Sequence, residues 1–223
     1  MSLRPVQVNI KAVDPPAVAR FWARALGWTA YPGETTYVGP TGGLRWPHPT
    51  AIGIDVVGVP APVAGTRLRL RLSTGDGPTL TDPEGNEFPV RDGDPTPVSA
   101  ITLDCVDPRA MADFWSRAID WPLREVTDEH AVLRASGPSL EFHRSPVGRT
   151  APDRLHLDLL PHGDTTSAAE VARLRDLGAT DLDVGQGDDV SWTCLSDPEG
   201  HEFCVLARPR SDVAEDLSSS TSD

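Results

Sequence analysis

The sequence predicts an α+β chain of two tandem domains, each built from strand-helix-strand-strand-strand (βαβββ) modules, with the second module of the first domain shortened. Three observations carry that prediction. The heptapeptide at Asp82–Phe88, "DPEGNEF", returns at Asp197–Phe203 as "DPEGHEF". The segment "VDPPAVARFWARALGW" from Val13 aligns without a gap with "VDPRAMADFWSRAIDW" from Val106. Each of these segments follows an alternating run, "VQVNIKA" or "SAITLDC", of the kind that forms a half-buried strand. A match of this extent marks a duplication. It sets an N-terminal domain at 4–92, a C-terminal domain at 97–207 and an acidic tail at 208–223.

The elements follow in order. In both copies an Asp, Asp14 or Asp107, can cap a helix that opens on Pro. Phe21, Trp22 and Leu26, or Phe114, Trp115 and Ile119, then recur on one helical face and are expected in the core. In the second copy "WPLREV", "HAVLRA" and "SLEFH" read as three strands. "RLHLDLL", a helix over "SAAEVARLRDLGA" and the strand "SWTCLS" lead to the heptapeptide. In the first copy "RLRLRLS" from Arg67 resembles "RLHLDLL" from Arg154, but only "TGDGP" separates it from "TLTDPEGNEF", so about one helix and one strand are missing. A second register sets "AIGIDVV" against "RLHLDLL"; the first is preferred because its flanking residues agree better. Each heptapeptide has the letters of a strand-to-strand turn, Asp first, Pro second, Gly fourth. Glu199 and Glu202 are therefore read as a turn carboxylate and a strand-edge carboxylate.

Composition narrows the functions. The net charge of -13 over 223 residues disfavours nucleic acid and anionic lipid surfaces, which require a basic footprint. No apolar run is long enough for a membrane span and no leader pattern is seen, so a cytoplasmic protein, monomer or homodimer, is expected. Cys105, Cys194 and Cys204 are odd in number and sit in strand-like runs, which favours reduced, buried thiols. The tail from Ser211 has neither aromatics nor apolar periodicity and is expected to stay disordered.

The βαβββ order taken twice, the "DP...A.FW...LGW" helix, "RLHLDL" and the terminal "DPEGxEF" resemble the vicinal oxygen chelate superfamily, specifically its glyoxalase-like domains. The resemblance implies modules curled into a partly open barrel, with four strand positions that hold a divalent metal. It implies no single activity, because glyoxalases, epimerases, extradiol dioxygenases, fosfomycin-inactivating transferases and metal-free antibiotic-sequestering proteins share the fold.

Carried over to the second copy, those positions fall on Ala100, Glu141, His156 and Cys204. In the first copy they fall on Gln7, Asp55, Arg69 and Pro89, or on Arg45 and Gly53 for the middle two in the second register. Neither first-copy set suits a cation, and Arg67, Arg69 and Arg71, on one strand face, form either a solvated edge or an anion pocket. The pocket is accordingly expected in the C-terminal domain. His156, Glu141 and Cys204 are its incomplete metal set, for Zn, Ni, Mn or Fe, or else a hydrogen-bonded cavity group. Glu141 is the candidate catalytic carboxylate, and Asp104, His143, Asp158 and Trp192 are candidate substrate contacts, with Trp46 and Tyr37 as further aromatics. Other histidines, including His130, His162 and His201, are read as solvated.

Three classes remain open. They are a metal-free small-molecule binder with substoichiometric metal, which Ala100 and Cys204 favour; a metal-dependent lyase or isomerase of glyoxalase type; and an extradiol dioxygenase.

Overall fold

A computed structural model describes residues 2–48, 51–72, 79–89, 98–148, 151–187 and 190–207. The tail expected at 208–223 and the linker expected at 93–96 lie outside the described residues. The first module runs β1 (Leu3–Ala12), α1 (Pro15–Leu26), β2 (Thr29–Pro32), β3 (Thr36–Gly39) and β4 (Gly53–Gly58). The second has β5 (Leu68–Arg71), β6 (Thr79–Thr81) and β7 (Glu87–Pro89), with no helix among the described residues. The third repeats the full order as β8 (Ala100–Cys105), α2 (Pro108–Ile119), β9 (Leu123–Val126), β10 (His130–Leu133) and β11 (Ser139–Arg144). The fourth is β12 (Leu155–Pro161), α3 (Ser167–Asp176), β13 (Thr180–Asp181), β14 (Trp192–Ser196) and β15 (Glu202–Leu206). The α+β class and the shortened second module are as the sequence predicts.

Each helix forms where its capping letters stand. The Asp14 side chain accepts from Ala17 N–H, Pro15 opens the helix, and Gly27 closes it in the left-handed conformation at φ 62°. Asp107 and Pro108 do the same for α2, and Asp120 takes the left-handed closing position at φ 56°. Trp22, Leu26, Phe114, Trp115 and Ile119 are buried, whereas Phe21 is half-buried and packs on the core from its margin.

The repeated heptapeptide ties each helix to its copy. Asp197 accepts from the Glu199 and His201 backbone N–H groups and, at 3.1 Å, from the Trp115 indole. Asp82 does likewise for Glu84, Asn86 and the Trp22 indole at 3.0 Å. Glu199 then accepts from the Val106 and Asp107 N–H groups just ahead of α2, and Glu84 from Val13 and Asp14 ahead of α1. Glu199 is thus the turn carboxylate expected, with a capping task added. His201 is not solvated. It is buried, with Nδ1 on Asp197 and Nε2 2.9 Å from the Asp104 carbonyl.

The sheets cross the copy boundary. One sheet of eight strands runs β13-β14-β15-β12-β1-β4-β3-β2, joining the first module to the fourth; a sheet of five runs β5-β8-β11-β10-β9, joining the second to the third. The seam of the larger sheet is β1 antiparallel to β12, with Asn9 opposite His156 and Gln7 opposite Asp158. β4 lies parallel on the other side of β1, with Asp55 opposite Asn9. The smaller sheet repeats this plan, β8 being antiparallel to β5 and parallel to β11. β5 therefore corresponds to β12 and β4 to β11, which is the register preferred from sequence. Apart from β6 and β7, which pair with each other as a two-stranded antiparallel sheet, the strands of 4–92 and 97–207 are consequently shared between two mixed sheets and do not form one sheet per copy.

Candidate functional site

Period-two geometry sorts the larger sheet into two faces. Val6, Val8 and Ile10 of β1 are buried on the helix side, while Gln7, Asn9 and Lys11 line the opposite, concave side. Asp55 and Val57 of β4, His156 and Asp158 of β12, Cys194 of β14, and Glu202 and Cys204 of β15 join them around a cavity of about 510 Å³. Trp192, Val184 and Leu206 supply apolar wall at its mouth.

His156 is at the centre. Its Nε2 lies 3.5 Å from Cys204 Sγ and 3.3 Å from Asp158 Oδ1, and its Nδ1 is 3.3 Å from Glu202 Oε1. Burial alone would depress the imidazole, but Asp158 and Glu202 outweigh it and hold the pKa above its ordinary value. Lys11 pairs with Glu202 at 2.6 Å, and Gln7 Nε2 donates to Asp158 Oδ2 at 2.8 Å while its Oε1 accepts from the Trp46 indole at 2.6 Å. Asp55 accepts from Thr35 and Asn9; burial, aided by the charge on Asp158, pushes its carboxyl up to about 6. Close approach does not mean pairing here, because Asp158 Oδ1, His156 Nδ1 and Glu202 Oε2 are buried and lie off the directions a hydrogen bond needs.

The structure divides the candidates from sequence into two groups. It brings together His156, Asp158, Cys204 and Trp192 in the cavity of the larger sheet. It separates Glu141, His143 and Asp104 from them, on β11 and β8 of the smaller sheet. Glu141 is bound to Arg71 at 2.9 Å and to the Ser139 hydroxyl at 2.7 Å. Although burial works against ionisation, the His143 ring, the Ser139 hydroxyl and Arg71 bring its pKa down to about 2. Glu141, the catalytic candidate from sequence, thus stands in a salt bridge with Arg71 on the smaller sheet, apart from His156. Asp104 grips Arg69 through both oxygens, at 2.8 and 2.6 Å, so neither Arg69 nor Arg71 is free for an anion. Arg154 binds the Val63 carbonyl at 2.8 Å instead of facing the cavity. Glu202, read as a strand-edge carboxylate, is buried in the cavity wall.

Of the other lining residues, sequence places Gln7 and Asp55 at first-copy ligand positions judged unsuited to a cation, reads Glu202 as a strand-edge carboxylate and Cys194 as a buried thiol, and does not single out Lys11. The alternation "QVNIK" did signal polar residues on a core strand. Which strand would face them depends on pairing across the chain.

Two side-chain groups have the composition of a metal site. His130, Glu141 and His143 come within 4.8 Å of one another, but Arg71 already supplies the positive charge at Glu141. His156, Asp158 and Cys204 come equally close, are buried, and include the unpartnered Asp158 oxygen. Imidazole, carboxylate and thiol together are a zinc-type donor set, and a carboxylate behind the histidine, here Glu202, is the usual outer support. The second group fits a divalent metal.

The sequence model of the glyoxalase-like domain matches residues 7–79 and 100–206. The chain belongs to this glyoxalase-like family. Its fold is that of the vicinal oxygen chelate superfamily. Glyoxalase I from Zea mays superposes on 100% of this chain and 98% of its own at a TM-score of 0.65 and 15% identity. A putative dioxygenase from Bacillus subtilis subsp. subtilis str. 168 does so over 93% and 86%, at 0.61 and 14%. No curated protein matches the chain. Likeness at this identity concerns the fold alone. Among the described residues of this glyoxalase-like protein, no helix is long and apolar enough to cross a membrane.

Proposed function

We propose that this is a small-molecule-binding protein of glyoxalase type whose ligand enters the cavity of the eight-stranded sheet and meets a divalent metal held by His156, Asp158 and Cys204. The observation that carries the proposal is the unpartnered Asp158 oxygen beside His156 Nε2 and Cys204 Sγ, all buried at the cavity wall. The His156 ring stands 3.3 Å from that oxygen without a hydrogen bond, and a cation that displaces the ring's proton would meet oxygen, imidazole and sulfur together. The sequence alone favoured a metal-free binder because Ala100 and Cys204 completed the set poorly; Asp158, beside His156 and Cys204, supplies the further oxygen donor that such a set wants.

When bound, the metal would supply Lewis-acid polarisation of a ligand oxygen. The chain's own residues do the rest. Lys11 holds Glu202, whose Oε1 stands 3.3 Å from His156 Nδ1 and places negative charge behind the ring. Gln7 fixes the Asp158 carboxylate. Asp55, near neutral in its titration and lining the same cavity, is suited to accept a proton from a bound ligand. Trp192 offers an apolar face.

Elemental analysis of protein purified without chelator or a metal-affinity step tests the reading. About one equivalent of a zinc-class metal, lost in His156→Ala and Asp158→Ala but kept in Glu141→Gln, is expected. A metal-free preparation that binds no added zinc overturns it.

A further inference from the structure

We propose that Cys194 and Cys204 form a redox-active dithiol in the wall of the cavity, closed to a disulfide by a hydroperoxide. The two residues are directly opposite on β14 and β15. The Ala207 N–H bonds the Ser191 carbonyl at one end of this pair of strands, and the Asp197 N–H bonds the His201 carbonyl at the other. Hydrogen-bonded and non-hydrogen-bonded pairs alternate along an antiparallel ladder, so counting inward from either end makes Cys194–Cys204 a non-hydrogen-bonded pair. That is the closer kind, with Cα atoms about 4.5 Å apart, within the window a disulfide spans.

The side chains agree. The two sulfurs are 3.2 Å apart as free thiols, and both line the cavity. Though largely buried, they are open to a reagent small enough to enter it. Cys105, the remaining cysteine, is buried on the other sheet with its sulfur toward the His143 carbonyl.

The chemistry closes without other reactants. One thiolate attacks a peroxide oxygen, an S–O bond forms as O–O breaks, and hydroxide leaves with the thiol proton as water. The second sulfur then displaces hydroxide from the sulfenic acid, forming S–S, and a second water departs. Two thiols and one hydrogen peroxide become one disulfide and two waters. The functional consequence rests on the proposed metal reading, since oxidation withdraws the Cys204 donor from the site.

The full-length protein, reduced, freed of reductant and treated with hydrogen peroxide, is denatured, its remaining thiols are counted, and its unreduced peptides are mapped. The expected result is one free thiol of three, a Cys194–Cys204 linked peptide, and recovery with dithiothreitol. Cys204→Ser should give no linked peptide and a sulfenic acid on Cys194 that dimedone traps. Three free thiols, a link through Cys105, or separate sulfinic acids without a link overturn the dithiol. A Cys194–Cys204 link that leaves metal content unchanged supports the dithiol and counts against the metal reading, so the two fail separately.

Discussion

A carboxylate and a thiol, Glu141 and Cys204, show how partners decide behaviour at the scale of single residues. Glu141 has Arg71 and Ser139 at hand, and its pKa falls from an ordinary 4.5 to about 2. A group whose folded pKa is depressed contributes stability that is full above its unfolded pKa and is lost as pH falls through the folded one. Glu141→Gln is therefore expected to cost about 2–3 kcal/mol at pH 7, with the gap to the parent closing between pH 4.5 and 2; urea titrations across that range measure it. Metal affinity should run the same way with pH for a different reason. Cys204 is held well above its ordinary thiol pKa by the Cys194 sulfur, by burial and by Asp158, so a metal must displace its proton. Zinc titrations by calorimetry should show tighter binding at pH 8 than at pH 6, and an equal or reversed order removes Cys204 from the site. Trp22→Ala and Trp115→Ala, each emptying a core position and freeing a buried Asp, are expected to cost about 3–5 kcal/mol in chemical unfolding.

At the scale of elements, the repeated turn does more than reverse the chain. Its Asp is a buried hub and its Glu is a surface cap, so the two should respond differently to removal. Glu199→Ala frees two N–H groups that water can reach, at about 1–2 kcal/mol, whereas Asp197→Ala strands the Trp115 indole and the His201 donors and should cost about 3–5 kcal/mol. Comparing the two melting curves checks the ranking. The turn itself was legible in the sequence because Asp, Pro and Gly act on their own backbone. What Glu199 caps was not, since Val106 and Asp107 lie more than ninety positions away in the chain. Helices α1 and α2 were equally legible, from an Asp-Pro start and one aromatic face. Period-two alternation also placed His156 with Asp158 on one face, as found.

For the whole molecule, the arrangement that matters is the seam between β1 and β12. Alternation tells which side of a strand is polar but not which strand lies beside it, and family positions carried over within one copy set Glu141 with His156 and Asp55 with Arg69, whereas the seam puts Asp55 in the cavity of His156. Neither half, 4–92 or 97–207, contains a complete cavity wall. Expressed apart, the halves are expected to be unfolded or self-associated; expressed together, they should co-purify as a one-to-one pair with the cavity restored. Size-exclusion chromatography with light scattering tells these outcomes apart, and two well-folded monomeric halves would show that the seam is dispensable. The seam also imposes a timetable. Gln7 and Asp158, bonded across it, are 151 positions apart, and at the usual pace of synthesis roughly 8–30 s pass between their appearances. During that interval β1 can pair with β4 on one side while its other edge stays bare beside every other nascent copy. Asn9 and Lys11, polar and charged in the C-terminal half of that edge, make it a poor template for a stranger's strand while it waits for its own.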